Sequence, residues 1–163
     1  MEFLEVKKQE HAKTDKVEYI VWKQEYSVEV EEIDNQHKEL LNIVNSLLSC
    51  YLGNKTKGKE FFIKIINGAF EHIKFHFATE ENIMQETHYP NYAEHKAEHD
   101  NMVGNLTVLI NDTVSGKIEF DVLAFALNLK DWFLNHIPEH DIKAKECFKN
   151  SCYAKTEINH TPK

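Results

Sequence analysis

Glycine and proline are scarce, five and three in 163 residues. That is too few for the turns of a loop-rich β fold, so an all-helical chain is expected. Cysteine is too rare for a disulfide framework: Cys50, Cys147 and Cys152 are odd in number and unevenly placed, which fits ordinary thiols in a reducing compartment. Cys147 and Cys152 stand five apart, wider than the spacing of zinc-binding pairs, and a redox pair is the weaker reading. Basic excess is missing too. The formal net charge of −8 offers no cationic face to displace counterions from a phosphate backbone, so no nucleic-acid partner is expected. No apolar run reaches membrane-spanning length, and the opening MEFLEVKKQEHAKTDK has no apolar core of a signal peptide. The expectation is a soluble, cytoplasmic protein without membrane insertion; no protein partner is assigned.

What is present is ordinary globular material, 42% hydrophobic and 28% charged residues, enough for one domain with a real core. Residues 1–21 read as a polar N-terminal extension, 22–149 as the folded unit and 150–163 as a loose tail. Within the unit, Tyr26, Val28 and Val30 alternate and suggest an extended segment from Trp22 to Ile33, anchored by Trp22 and Tyr26. A first helix is expected from Asp34, as its N-cap, to about Tyr51, with Leu40, Leu41, Val44, Leu47, Leu48 and Tyr51 on one stripe. The stretch Gly53 to Gly58 is a turn signal.

A second helix, about Lys59 to Glu86, carries Phe62, Ile65, Ile66, Ala69, Ile73, Phe77, Ile83 and Met84 on one face. Pro90 then breaks the pattern, and Asn91 with Glu94 resembles a capping box for a third helix to about Ser115. The third stripe is Tyr92, Met102, Val103, Leu106, Leu109 and Ile110. A fourth helix from near Phe120 carries Val122, Phe125, Ala126, Leu129, Trp132, Phe133 and Ile137. Four amphipathic helices with short connections predict an antiparallel up-down-up-down four-helix bundle.

The chemistry gathers in HIKFHFATEENIMQETHYPNYAEHKAEH, residues 72–99. His76 with Glu80, and His95 with His99, are four-residue pairs. Side chains four apart lie about 40° from each other around a helix and one turn above, so two such pairs can converge on one buried point. A histidine on an apolar face is commonly a hydrogen-bonded core residue. Here, however, both pairs are in phase with the apolar stripes, and a carboxylate such as Glu80 on that face is costly unless it meets a cation. Glu81 reads as solvated surface, and His72 as a hydrogen-bonding neighbour rather than a ligand.

His37 lies early in the first helix and His136 late in the fourth. In an up-down bundle these positions, with the other four, fall toward the same end. Five imidazoles and a carboxylate suit iron, zinc, copper or nickel rather than magnesium or calcium. More donors than one ion needs point to a dinuclear centre.

IDNQH ending at His37, HFATEE from His76, YPNYAEHKAEH with His95 and His99, and DWFLNHIPEHD with His136 and Asp141 together resemble the bacterial hemerythrins, over roughly Trp22 to Phe148. The resemblance implies two non-haem iron ions joined by an oxo or hydroxo bridge. His95, His99 and His136 hold one, His37 and His76 the other, and Glu80 and Asp141 span both. It implies reversible binding of dioxygen, for transport, storage, delivery or sensing; five imidazoles against few carboxylates favour binding over enzymatic turnover. The chain departs from the family's usual pattern in its extension, its tail and His72, which stands where an aromatic is more usual.

Spacing alone prefers His140, four residues from His136, because five residues put Asp141 about 140° around the helix. Pro138 offers a kink or π-type irregularity that turns Asp141 inward, with His140 as the alternative. Phe77, Trp132, Phe133 and Ile137 are candidates to line a dry pocket or to serve as plain core. A di-iron enzyme acting on peroxide, nitric oxide or oxygen, and an iron-buffering bundle, are the competing functions.

Overall fold

The computed structural model describes residues 18–52 and 59–151. The expectations for the extension up to residue 17, the Gly53 to Gly58 turn, the Phe62 side chain, Cys152 and the tail beyond 151 lie outside the described residues. Four long helices follow one another: α1 (Glu31–Leu52), α2 (Lys59–Glu86), α3 (Tyr92–Val114) and α4 (Val122–His136). A π-helical turn, Ile137–Asp141, links α4 to a short α5 (Ile142–Lys149) that continues it. No strand occurs among the described residues, and the bundle is all-α as expected.

The apolar stripes meet as predicted, with Leu40, Leu41, Val44, Leu47 and Leu48 packed against Ile73, Phe77, Met102, Leu106, Phe125, Leu129 and Phe133. Tyr51 differs: it is exposed at the last turn of α1. Asp121 caps α4, accepting a hydrogen bond from Ala124 N at 2.9 Å, so that helix starts slightly later than expected. Gly116, with φ +75°, closes α3 in the left-handed conformation that glycine adopts without steric cost.

Three expectations need correction. The segment before α1 is not one extended strand-like run: Gln24–Tyr26 forms a 3₁₀ turn and α1 begins at Glu31. Asp34 therefore sits inside the first turn, and its carboxylate accepts Val28 N at 2.8 Å and Ser27 Oγ at 2.5 Å. It ties down the preceding loop instead of capping the helix. The alternating Tyr26, Val28 and Val30 are nonetheless buried. Asn91 does precede α3, but its side chain makes no capping hydrogen bond.

A second, smaller apolar cluster closes one end of the bundle: Val28, Val30, Ile33, Ile83, Met84, Ala144 and Phe148. Between the two clusters every long helix carries polar groups. Along α1 the order is Ile33, His37, Leu40; along α2 it is Phe77, Glu80, Ile83. A polar layer is thus sealed between two apolar ones.

Candidate metal centre

That layer holds His37 from α1, His76 and Glu80 from α2, His95 and His99 from α3, His136 from α4 and Asp141 from the π turn. None is more than 3% exposed. The structure brings all seven together in two overlapping groups whose donor atoms lie within 4.8 Å of one another: Glu80, His95, His99, His136 and Asp141, and His37, His76, Glu80 and Asp141. The two carboxylates belong to both.

Each carboxylate divides its oxygens between the groups. Glu80 Oε1 lies 3.7 Å from Nε2 of His37 and 3.7 Å from Nε2 of His76, whereas Oε2 lies 3.6 Å from His95 and 3.4 Å from His99. Asp141 Oδ2 faces His37 at 3.3 Å, and Oδ1 faces His95 and His136, both at 3.2 Å. His99 and His136 bring their Nε2 atoms to 3.1 Å of each other. Among the described residues His140 is not part of either group. It stacks on His136 with ring centroids 4.9 Å apart.

The reason lies in the backbone between His136 and Ile142. Pro138 lacks an amide hydrogen, and five residues wind as a π turn, with Ile142 N bonded to Ile137 O. The wider turn rotates Asp141 onto the buried face and leaves His140 partly exposed.

Sequence reasoning missed the outer partners. His76 Nδ1 donates to Gln36 Oε1 at 3.1 Å, and Gln36 in turn donates to Glu32 at 2.8 Å. His99 Nδ1 donates to Glu81 Oε1 at 3.1 Å, and Lys96 lies 3.4 Å from the other oxygen. Glu81 is therefore not solvated surface; its side chain is 18% exposed and orients a histidine. The available signal was position: Gln36 and Glu81 each adjoin a candidate donor in sequence. Each such bond fixes the proton on Nδ1 and leaves Nε2 free as a donor to the centre. His72 pairs with Glu39 at 3.4 Å, away from the centre.

Aromatic rings wall the layer. Phe77 stacks on His99 at 3.8 Å, and Trp132 on His136 at 4.2 Å. Phe133 and Ile137 are fully buried, and Trp22 lies 6.4 Å from His37.

Electrostatics explain why this arrangement calls for a cation. Burial, together with Asp141 alongside, works against the charge on Glu80, but His76, His95 and His99 outweigh both and hold it well below the usual carboxylate range. Asp141 is likewise depressed against its burial by His136, His37 and His95. Burial lowers His76 to about 3. Burial also opposes a charge on His95, yet contacts with Asp141 and Glu80 hold it up at about 9. Nε2 of His37, His76 and His95 and all four carboxylate oxygens of Glu80 and Asp141 are buried without a hydrogen-bond partner. Each such atom costs roughly 1–3 kcal/mol. Ions between the two halves of the layer would satisfy all of these atoms, so the donor set fits a pair of metals.

Comparison with known proteins agrees with this geometry. A family model described as the hemerythrin HHE cation binding domain matches residues 28–144. The chain is 34% identical to the bacteriohemerythrin of Methylococcus capsulatus, covering 72% of this chain and 86% of that protein. It is 26% identical to the myohemerythrin of Sipunculus nudus, covering 77% and 90%. The crystal structure of a wild-type hemerythrin superposes with a TM-score of 0.72 at 30% identity, covering 80% of this chain and 98% of that one.

Proposed function

The chain belongs to the hemerythrin family, and on that premise we propose that it binds dioxygen reversibly at a non-haem di-iron centre. His95, His99 and His136 would hold one iron, and His37 and His76 the other, with Glu80 and Asp141 available to both. The observation that carries this reading is the division of each carboxylate, one oxygen toward the three-histidine side and one toward the two-histidine side.

When bound, an iron pair would supply two reducing equivalents to a diatomic ligand. The rest is the work of the chain. Gln36 and Glu81 fix His76 and His99 in the tautomer that presents Nε2 inward. Phe77 and Trp132 stack against His99 and His136, lock the ring planes and keep water from them. The cluster of Val28, Ile33, Ile83, Met84 and Phe148 closes the end of the layer, so small apolar ligands are favoured over water and ions.

The balance of donors supports binding over turnover. Five neutral imidazoles against two carboxylates supply little negative charge to stabilise highly oxidised metal, which carboxylate-rich sites do supply. The test is anaerobic reconstitution with ferrous iron followed by repeated aeration and deoxygenation. A carrier shows a visible spectrum that appears and vanishes over successive cycles; an oxidase or peroxidase consumes oxygen steadily when a reductant is added.

A further inference from the structure

A centre whose donors are all at most 3% exposed needs a way in for its ions. A cleft of about 80 Å³ opens beside it, lined by Tyr89, Asn91, Glu94, His95, Glu139, His140 and Lys143. That volume has room for several waters or one hydrated cation. His95 belongs to both places. Its Nε2 faces Glu80 and Asp141, its Nδ1 is buried without a hydrogen-bond partner, and its ring forms part of the cleft wall.

His140 bridges outside and inside. Its ring lies 5.5 Å from that of His95 and 4.9 Å from that of His136, yet it remains partly exposed. Toward solvent stand the exposed carboxylates Glu94 and Glu139, with Lys143 held 3.2 Å from Glu139 as a displaceable counter-ion. The cleft therefore grades from oxygen donors at the mouth to nitrogen donors at the base. Oxygen donors exchange quickly and accept a hydrated ion; nitrogen donors hold it more tightly.

Resting on the di-iron reading above, we propose that this cleft is the metal-loading port of the protein. Glu94 and Glu139 collect a divalent cation, His140 takes it inward, and His95 and His136 receive it. Lys143 returns to Glu139 once the ion has passed. The ion remains divalent throughout and only its ligands exchange.

The experiment mixes metal-free full-length protein with cobalt(II) and follows the ligand-field absorption and the final metal content. Three proteins are compared: wild type, Glu94→Gln with Glu139→Gln, and Asn91→Phe. The double variant removes the charge at the mouth without touching the centre, and Asn91→Phe fills the cleft at a residue whose side chain caps nothing. The double variant is expected to load about tenfold more slowly, at the low end of what charge steering contributes to association rates, and Asn91→Phe to load more slowly because its ring obstructs the cleft. Both reach the wild-type cobalt content and spectrum. Release to an excess of chelator slows by the same factor, because a port changes rates and not the equilibrium. Wild-type rates in either variant overturn the port while leaving the centre intact. A wild type that takes up no cobalt overturns the metal-centre reading and the port with it.

Discussion

Asp141 Oδ2 lies 3.3 Å from His37 Nε2, joining the end of α4 to the start of α1 across the bundle. A regular helix from His136 would put His140 there instead. The π turn over Ile137–Asp141 makes the exchange, so the two neighbours have different fates. Asp141→Ala should lose at least half of the bound metal and the oxygen-dependent spectrum, whereas His140→Ala should keep both at equilibrium. Metal analysis of the two purified variants, each reconstituted with excess ferrous iron, checks this.

The proton balance of the centre sets its response to pH. His95, held at about 9 in the metal-free protein, must give up its proton to bind a metal. Apparent affinity should therefore rise with pH toward 9, by up to about tenfold per unit for each proton displaced. Metal titrations at a series of pH values, with protons released counted by a dye, measure it.

Stability of the metal-free protein follows from the same shifts. For His95 the folded value is above the unfolded one of about 6.5, so its contribution is full below that pH and is lost as pH rises toward 9. For His76 the folded value of about 3 is below it, so stability is lost as pH falls beneath about 6.5. Glu80 and Asp141, depressed in the folded state, add a further loss as pH falls below about 4. Thermal unfolding of the apo-protein should show a maximum near neutrality, and bound metal should raise stability most at high pH and least at low pH, where its ligands take up protons.

Glu81 and Gln36 act through the histidines they orient. Glu81→Ala frees the His99 ring and should weaken metal retention by about 10–100-fold, with Glu81→Gln recovering most of it. Gln36→Leu should do the same to the His76 side. Chelator-driven release, followed in the visible spectrum, separates the fast-losing iron from the slow one.

Phe77 is buried and lies flat on His99 at 3.8 Å. Phe77→Ala should cost about 3–5 kcal/mol through the cavity it leaves. It should also admit water to the centre and shorten the life of the oxygenated form. Denaturant unfolding and the decay of the oxygenated spectrum in air report the two effects separately.

The helical stripes were legible because burial imposes a 3.6-residue period, and Leu40, Ile73, Leu106 and Leu129 all fall where that period puts them. Four of the seven donors, His76 with Glu80 and His95 with His99, were legible as pairs in phase with those stripes, and His37 and His136 by their height along the bundle. Asp141 needed the family resemblance, since a π turn breaks the period by which positions are counted. The start of α1 was misplaced because Asp34, a good cap by type, is used to hold Val28 and Ser27. Gln36 is not singled out by the sequence and Glu81 reads there as solvated surface, because a polar side chain beside a donor looks the same in sequence whether it faces solvent or an imidazole. Tyr51 shows the opposite limit, a position in phase with the apolar stripe that is nonetheless exposed.

The most direct test is metal analysis of the reconstituted protein together with its visible spectrum through several rounds of oxygenation and deoxygenation. The account predicts about two irons per chain, as a two-metal site requires, and absorption bands that come and go with oxygen. A single iron, or a spectrum that changes once and never returns, would contradict it.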